Sequence, residues 1–239
     1  MGVHSPLAPS IHWVKVSRQS AKLAALLIAG ILITGCAGLN KAPEAPDATD
    51  PQSLWAAQKT LNSTIEQWHL KGKIGVRSGK KGGSATLKWQ FAGEVQDIEL
   101  YGPFGGGRVQ IDAGPEGARL EDTKGRVITG DSAQEVLEIR LGWHVPFDEL
   151  VYWSRGLPGE QATDITIDAQ GRLKSFNQDI WQVEYTEYRK TGTYVLPRKI
   201  TITSLPGNLE IYDDDGNYIG DELSVKVILK KWLDFGSSG

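Results

Sequence analysis

The chain has 239 residues, 40% of them hydrophobic, and carries 26 Lys and Arg against 29 Asp and Glu for a formal charge of -3. That length allows one or two domains with a substantial core, and the apolar content excludes a disordered chain. A single cysteine, Cys36, excludes an internal disulfide framework or a cysteine-rich metal cluster, and the mild acidity excludes the strongly basic face of a nucleic-acid binder.

Lys15, Arg18 and Lys22 precede an apolar run from Leu23 to Thr34, and no acidic residue stands before Cys36. A basic segment followed by a short apolar core is the pattern of a secretory signal peptide, and the run falls short of the ~20 residues that span a bilayer. Ile33-Thr34-Gly35-Cys36 then resembles the bacterial lipobox, whose cysteine receives a diacylglyceryl thioether and becomes the mature N-terminus. The alternative is a transmembrane anchor with a chance cysteine. We therefore read residues 1–35 as a lipoprotein signal peptide and Cys36 as the lipidation site. Removing those 35 residues, with their three cations and no acids, leaves 204 residues and a formal charge of -6, and acylation of Cys36 then leaves no free thiol. Two or three acyl chains on Cys36 would attach the chain stably to a membrane, where one would be marginal. By resemblance to other lipoproteins, Ala37, in place of an inner-membrane-retaining Asp, implies the outer membrane. Residues 36–50 hold Pro43 and Pro46 without apolar periodicity and read as a lipid-anchored flexible tether.

Asp50-Pro51 reads as a helix N-cap and first helical residue, followed by Leu54, Ala57, Leu61, Ile65 and Trp68 on one stripe of a helix of about 17 residues. The period then changes to two. Ala85, Leu87, Trp89 and Phe91 alternate with polar residues, as do Ile98/Leu100, Val109/Ile111, Ile165/Ile167, Trp181/Val183/Tyr185, Ile200/Ile202 and Leu223/Val225/Val227/Leu229. Turn signals at Ala92-Gly93, Lys124-Gly125, Gln170-Gly171 and Asp215-Gly216 separate ten to twelve short strands. Such alternation predicts an antiparallel sheet with one wet face and one apolar face that must be covered. Two helices in mid-sequence are available as the cover. Ser132 with Glu135 opens one that ends before Gly142, and Pro146 opens another, with Phe147, Leu150 and Val151 on one face, that stops at Gly156.

Little in the sequence points to catalysis. His69 and His144 are far apart and lack an acidic pattern for a metal. There is no Gly-x-Ser-x-Gly or His-Glu-x-x-His motif, and the run Gly102 to Gly107 lacks the Gly-Lys-Ser/Thr of a phosphate loop. Asp213-Asp214-Asp215-Gly216-Asn217 has its glycine at the fourth position, not the sixth, and reads better as a hairpin tip than as a calcium loop. Asn62-Ser63-Thr64 is formally a glycosylation sequon but falls inside a helix. No catalytic residue, cofactor or metal is expected.

In Ile98-Glu99-Leu100-Tyr101-Gly102-Pro103-Phe104-Gly105, proline and glycine put Phe104 on a turn, where it either folds back over the sheet edge or contacts a membrane or partner. The lipobox, a Trp-containing helix, Gly72-Lys73-Ile74-Gly75-Val76, Ala85-Thr86-Leu87-Lys88-Trp89-Gln90, the Gly-Pro-Phe-Gly loop and the run Trp153 to Gly159 together resemble the LolB family of outer-membrane lipoprotein receptors. The resemblance covers nearly all of the chain after the signal. It implies a mainly β fold, an unclosed antiparallel β-barrel of about eleven strands over residues 51–233, with a helical plug and a hydrophobic cavity, leaving 234–239 as a flexible tail. It also implies that the protein takes acylated lipoproteins from a LolA-like periplasmic carrier of the same fold and inserts them into outer-membrane lipid. A monomer with no nucleic-acid partner is expected, facing the periplasm. In the family the loop residue is usually leucine and aids insertion; Pro103, Phe104 and Gly105 match that loop. Leu87, Trp89, Leu100, Trp181, Val183 and Tyr185 are candidates for lining the acyl-chain cavity, and equally candidates for ordinary core. Such carriers are basic around their mouths, which the acidic mature domain would complement. The segment Tyr212 to Glu222 and the Gly-Ser-Ser-Gly tail depart from the family and have no assigned role. Other readings of the same chain are an anchored protein for a different hydrophobic ligand and a structural outer-membrane lipoprotein with a filled core.

Overall fold

The computed structural model describes residues 50–79, 81–102, 107–212 and 217–236. Cys36 and the Pro103, Phe104, Gly105 loop lie outside the described residues.

Helix α1 (Pro51–Ser63) opens as expected, with the Asp50 carboxylate accepting from the Ser53 N–H at 2.9 Å and proline at the first turn. It is 13 residues long rather than about 17, and its contact face is not the expected stripe. Ala57 is exposed and Leu61 is 38% exposed, while Leu54, Trp55, Gln58 and Asn62 face the domain. The physical reason is that Trp68 fits two periods at once. It lies three residues after Ile65, but also two before Leu70, and the chain takes the second: Ile65 is buried in the connection and Trp68 on the first strand. The side chains of Gln58 and Asn62 donate to the carbonyls of Val195, at 2.8 Å, and Arg155, at 2.8 Å.

The strands β1 (Gln67–Ser78), β2 (Lys81–Ala92), β3 (Val95–Gly102), β4 (Gly107–Gly114), β5 (Gly117–Asp122) and β6 (Val127–Gly130) form one arm as a continuous meander. Then come α2 (Ala133–Leu141) and α3 (Phe147–Trp153), and a second arm of β7 (Thr163–Ile167), β8 (Leu173–Gln178), β9 (Trp181–Thr191) and β10 (Tyr194–Ser204). Two short strands, β11 (Ile211–Tyr212) and β12 (Tyr218–Gly220), pair antiparallel, and the expected hairpin tip at 213–216 lies outside the described residues. The long strand β13 (Leu223–Gly236) joins the arms by pairing with β1 on one side and β10 on the other. The result is an eleven-stranded antiparallel sheet in the order β6-β5-β4-β3-β2-β1-β13-β10-β9-β8-β7, with β6 and β7 as unjoined edges. The edge strand β7 is exposed along most of its length, so Ile165, though in a strand as expected, is 39% exposed.

Trp68, Leu70, Ile74 and Val76 of β1 point to one buried face, as do Val225, Val227 and Leu229 of β13. Gly72 falls in the same phase, and a Cβ there would come within 2.5 Å of the Ile228 carbonyl oxygen, so the two central strands approach too closely for a side chain. The helices cross this face from one edge strand towards the other. Ser132 caps α2 by accepting from the Glu135 N–H at 3.1 Å, and left-handed Gly142 ends it, donating to the Glu138 carbonyl at 2.7 Å. Phe147, Leu150, Val151 and Trp153 of α3 are buried in the same cluster as the sheet.

Two turns share a five-residue signature, Asp122-Thr123-Lys124-Gly125-Arg126 and Asp168-Ala169-Gln170-Gly171-Arg172. In each, one carboxylate oxygen accepts from the N–H groups two and four residues on, and the other accepts from the arginine Nε, at 2.8 Å and 2.7 Å. Each glycine has φ near +70°, the left-handed value that the turn requires.

Candidate functional site

The six candidate cavity residues lie on the face that the helices cover, each 6% exposed or less. They fall in two groups. Leu87, Trp89 and Leu100 belong to β2 and β3, where Leu87 and Leu100 are direct cross-strand partners. Trp181, Val183 and Tyr185 belong to β9 on the other arm. With α2 and α3 seated, all six are part of one continuous apolar cluster. Trp89 is central to it, edge-on to Trp68 at 4.7 Å and to Phe147 of α3 at 5.3 Å. Trp68 in turn meets Phe91 at 5.5 Å and Trp232 at 5.6 Å. The buried indole N–H of Trp68 has no hydrogen-bond partner among the described residues.

A small number of polar contacts hold the helical cover down. At the start of α3, Asp148 accepts from the Gln96 amide at 2.9 Å, and Gln96 itself accepts from the Trp89 indole N–H at 3.2 Å. At its other end, the Trp153 indole donates to Gln178 at 3.3 Å, Gly159 N–H donates to the same oxygen at 2.8 Å, and the Tyr185 hydroxyl donates to the Trp153 carbonyl at 3.0 Å. Complete burial pushes the Tyr185 phenol well above its ordinary range, so it remains a donor. Arg155, 5% exposed, donates through Nε to the Val151 carbonyl at 3.2 Å and through its guanidinium to the Ile65 carbonyl. Burial lowers its pKa, and the Tyr152 ring lies 5.4 Å away. The run Trp153 to Gly159 is therefore a clamp between α3, the end of α1 and the second arm.

The sequence reading missed Gln96, Asp148, Arg155 and Gln178. One signal was present: Gln96 occupies the inward phase of β3, in step with Ile98 and Leu100, where a polar residue needs a partner. Asp122 does the same at the end of β5, where it also accepts from Arg140 of α2 at 3.0 Å.

One cleft opens beside the cover, and another reaches the opposite face of the sheet, where Asp234, His69, Gln90 and Asp97 stand in one row. The first, of about 260 Å³, lies where Gln96, Ala113 and Pro115 at the sheet end meet Ser132, Ala133 and Asp148 at the starts of both helices. The other, of about 340 Å³, is lined by Trp68, His69, Phe91, Val95, Asp97 and Asp234. Partial burial and the negative charges of Asp112 and Glu99 raise the Asp97 pKa above its ordinary value. His144 lies 2.9 Å from Glu138 at the end of α2. Among the described residues no group of three His, Cys, Asp or Glu side chains could hold a metal ion, and no helix is long and apolar enough to cross a membrane.

The family model for outer membrane lipoprotein LolB matches residues 66–232, from the connection before β1 to near the end of β13. The chain belongs to the LolB family. LolB of Pseudomonas putida is 33% identical over 202 residues, an alignment that covers 84% of this chain and 90% of that protein. LolB of Pseudomonas aeruginosa is 34% identical over 203 residues with the same coverage. Both are named outer-membrane lipoproteins, and this chain is thus a member of an outer-membrane lipoprotein family. Among solved structures, a DUF1329 family protein from Desulfovibrio piger aligns with a TM-score of 0.42 at 8% identity, covering 77% of this chain and 93% of its own. A LolA superfamily protein from Nitrosomonas europaea aligns with a TM-score of 0.37 at 13% identity, covering 80% and 95%.

Proposed function

We propose that this LolB-family chain accepts acylated lipoproteins from a LolA-like periplasmic carrier and inserts them into the outer membrane, without a catalytic step. Residues 1–35 are the signal, Cys36 carries the lipid anchor, and the acyl chains of the client lie between the sheet and α3. The observation that supports this reading is a large aromatic and aliphatic face closed by a short helix that few polar contacts retain. Because Leu87, Trp89, Leu100, Trp181, Val183 and Tyr185 are buried, acyl chains reach them only if α3 lifts. Exposing Phe147, Leu150, Val151 and Trp153 would cost roughly 1.5–3 kcal/mol each. Three chains of about sixteen carbons are worth tens of kcal/mol of burial relative to water at ~0.8 kcal/mol per methylene, so a small part of that sum, as a difference in affinity between carrier and receptor, offsets the exposure of the helix. No nucleotide motif is present, so each step from carrier to receptor to bilayer runs on a difference in affinity.

The test is to mix the chain with a carrier loaded with labelled lipoprotein and then to add liposomes. The label should pass to this chain and then to the bilayer. If the label stays on the carrier while free fatty acids or other lipids bind, the chain is instead a receptor for another hydrophobic ligand. If nothing binds, the covered face is ordinary core.

A further inference from the structure

The face of the sheet opposite the helices carries a groove of about 830 Å³ across β2, β1 and β13 that the reading above leaves unused. Its floor is made by small residues. Ser84, Gly75 and Lys226 stand in one row across the three strands, and Gly82, Arg77 and Ser224 in the next. Three cations, Arg77, Lys81 and Lys226, rise from this floor, and all are exposed. None of them has an ion-pair partner among the described residues, whereas Arg108, Arg119, Arg126, Arg140, Arg172 and Arg198 each pair with a carboxylate. Unpaired cations gathered over small side chains repel one another until an anion arrives.

The groove lies at the end of the sheet where β3 gives way to β4, and the β1–β2 hairpin extends beyond the last β2–β3 pair, Thr86 with Tyr101. Gly102 and Gly107, which flank Phe104 in the sequence, pair with each other at that same end. We propose that the groove is a docking site for the phosphate headgroups of an anionic bilayer, which seats this end of the domain on the membrane. The inference rests on the outer-membrane reading of the chain. An open groove on a sheet face suits phosphates presented from a surface, where a free ion would need enclosure. The formal charge of -6 on the mature chain opposes binding to an anionic surface, as do the acids Glu210, Asp213, Asp214, Asp215, Asp221 and Glu222 in the sequence between β10 and β13, whose Gly220 approaches Gly79 in the β1–β2 turn. Preference for anionic lipid would therefore report a local site and not net charge.

The experiment places the full lipidated chain in vesicles of phosphatidylcholine alone or with added phosphatidylglycerol, and follows amine modification of individual lysines by mass spectrometry. Lys81 and Lys226 should be modified about five-fold more slowly with phosphatidylglycerol present, a protection that high salt removes, while exposed Lys174 on β8 should not change. Gly75→Leu should abolish the protection although no charge is lost, because a Cβ at Gly75 meets nothing closer than 3.7 Å and the side chain fills the groove. Equal modification in both vesicles, or protection that survives Gly75→Leu, would overturn the proposal. Equal protection by inorganic phosphate in phosphatidylcholine vesicles would also overturn it in favour of a free anion. Transfer of labelled lipoprotein, measured on the same vesicles, separates the two readings: transfer without lysine protection rejects the groove alone, and protection without transfer rejects the receptor function alone.

Discussion

Asp148 holds the start of α3 through one 2.9 Å hydrogen bond to Gln96, and replacing it tests whether the helix is a lid. Asp148→Ala leaves the buried Gln96 amide without its acceptor, at a cost of about 1–3 kcal/mol to the closed form. We expect a lower Tm with faster acceptance of labelled lipoprotein from the carrier; a lower Tm with slower acceptance would show that closure serves binding rather than restrains it. Arg155 carries an expectation for stability alone. Its guanidinium serves two buried carbonyls, so Arg155→Met should destabilise the domain by about 3 kcal/mol in urea unfolding with an unchanged m-value. Asp122 has a pH signature. Burial acts to raise its pKa, but the N–H groups of Arg126 and Lys124 and the guanidiniums of Arg126 and Arg140 outweigh burial and hold it well below the usual carboxylate range. A carboxylate depressed in the folded state contributes its stability above its unfolded pKa of 3.8 and loses it as pH falls from there toward the folded value. Asp122→Asn should therefore lower stability at neutral pH and flatten the acid limb of a Tm–pH profile below about pH 4.

At the scale of elements, the strands were legible because one face is wet: Ala85, Leu87 and Trp89 of β2, Ile98 and Leu100 of β3, Trp181, Val183 and Tyr185 of β9 and Leu223, Val225, Val227 and Leu229 of β13 are all buried as their alternation predicts, while Phe91 at the end of β2 is only half-buried. The two covering helices were legible from Ser132, Gly142 and Pro146, whose cap chemistry is local. The start of helix α1 was legible from Asp50-Pro51 but its end was not, because an apolar stripe cannot tell a helix from the strand that follows when Trp68 satisfies both periods. The same limit applies to the site. Periodicity identifies Leu87, Trp89 and Tyr185 as inward-facing, but inward-facing residues look alike whether a lid or a fixed core covers them. What distinguishes a lid is the polar contacts at its ends, and Gln96, Asp148 and Gln178 meet only in three dimensions. The paired Asp-x-x-Gly-Arg turns carry an element-level prediction. Gly171→Ala should be costlier than Gly125→Ala, since a Cβ at Gly171 would meet Leu54 of α1 at 2.5 Å and one at Gly125 meets nothing within 4 Å. Both changes share the cost of a positive φ, so the difference in Tm measures the docking of α1.

Over the whole molecule, Gln96 beside the cleft and Gly102, the last described residue before Phe104, lie at opposite ends of β3, roughly 20 Å apart at 3.4 Å per residue. Acceptance and delivery should then be separable. Phe104→Glu should leave acceptance of labelled lipoprotein intact and impair its passage to liposomes; loss of acceptance alone would contradict the division. The placement of β13 has a further consequence for how the chain is made. Its neighbours, β1 and β10, belong to different arms, so until β13 arrives each arm is a half-sheet with a bare apolar face and no partner across the gap. A chain emerging N-terminus first reaches its final strand only after every other part has appeared, and that interval is when it is open to aggregation. A chain cut after Glu222 should remain in this unassembled condition and bind the dye ANS strongly. Assembly is thus an event of the last fourteen residues of the sheet, and a defect in β13 would be felt as failed biogenesis before it was felt as failed transport.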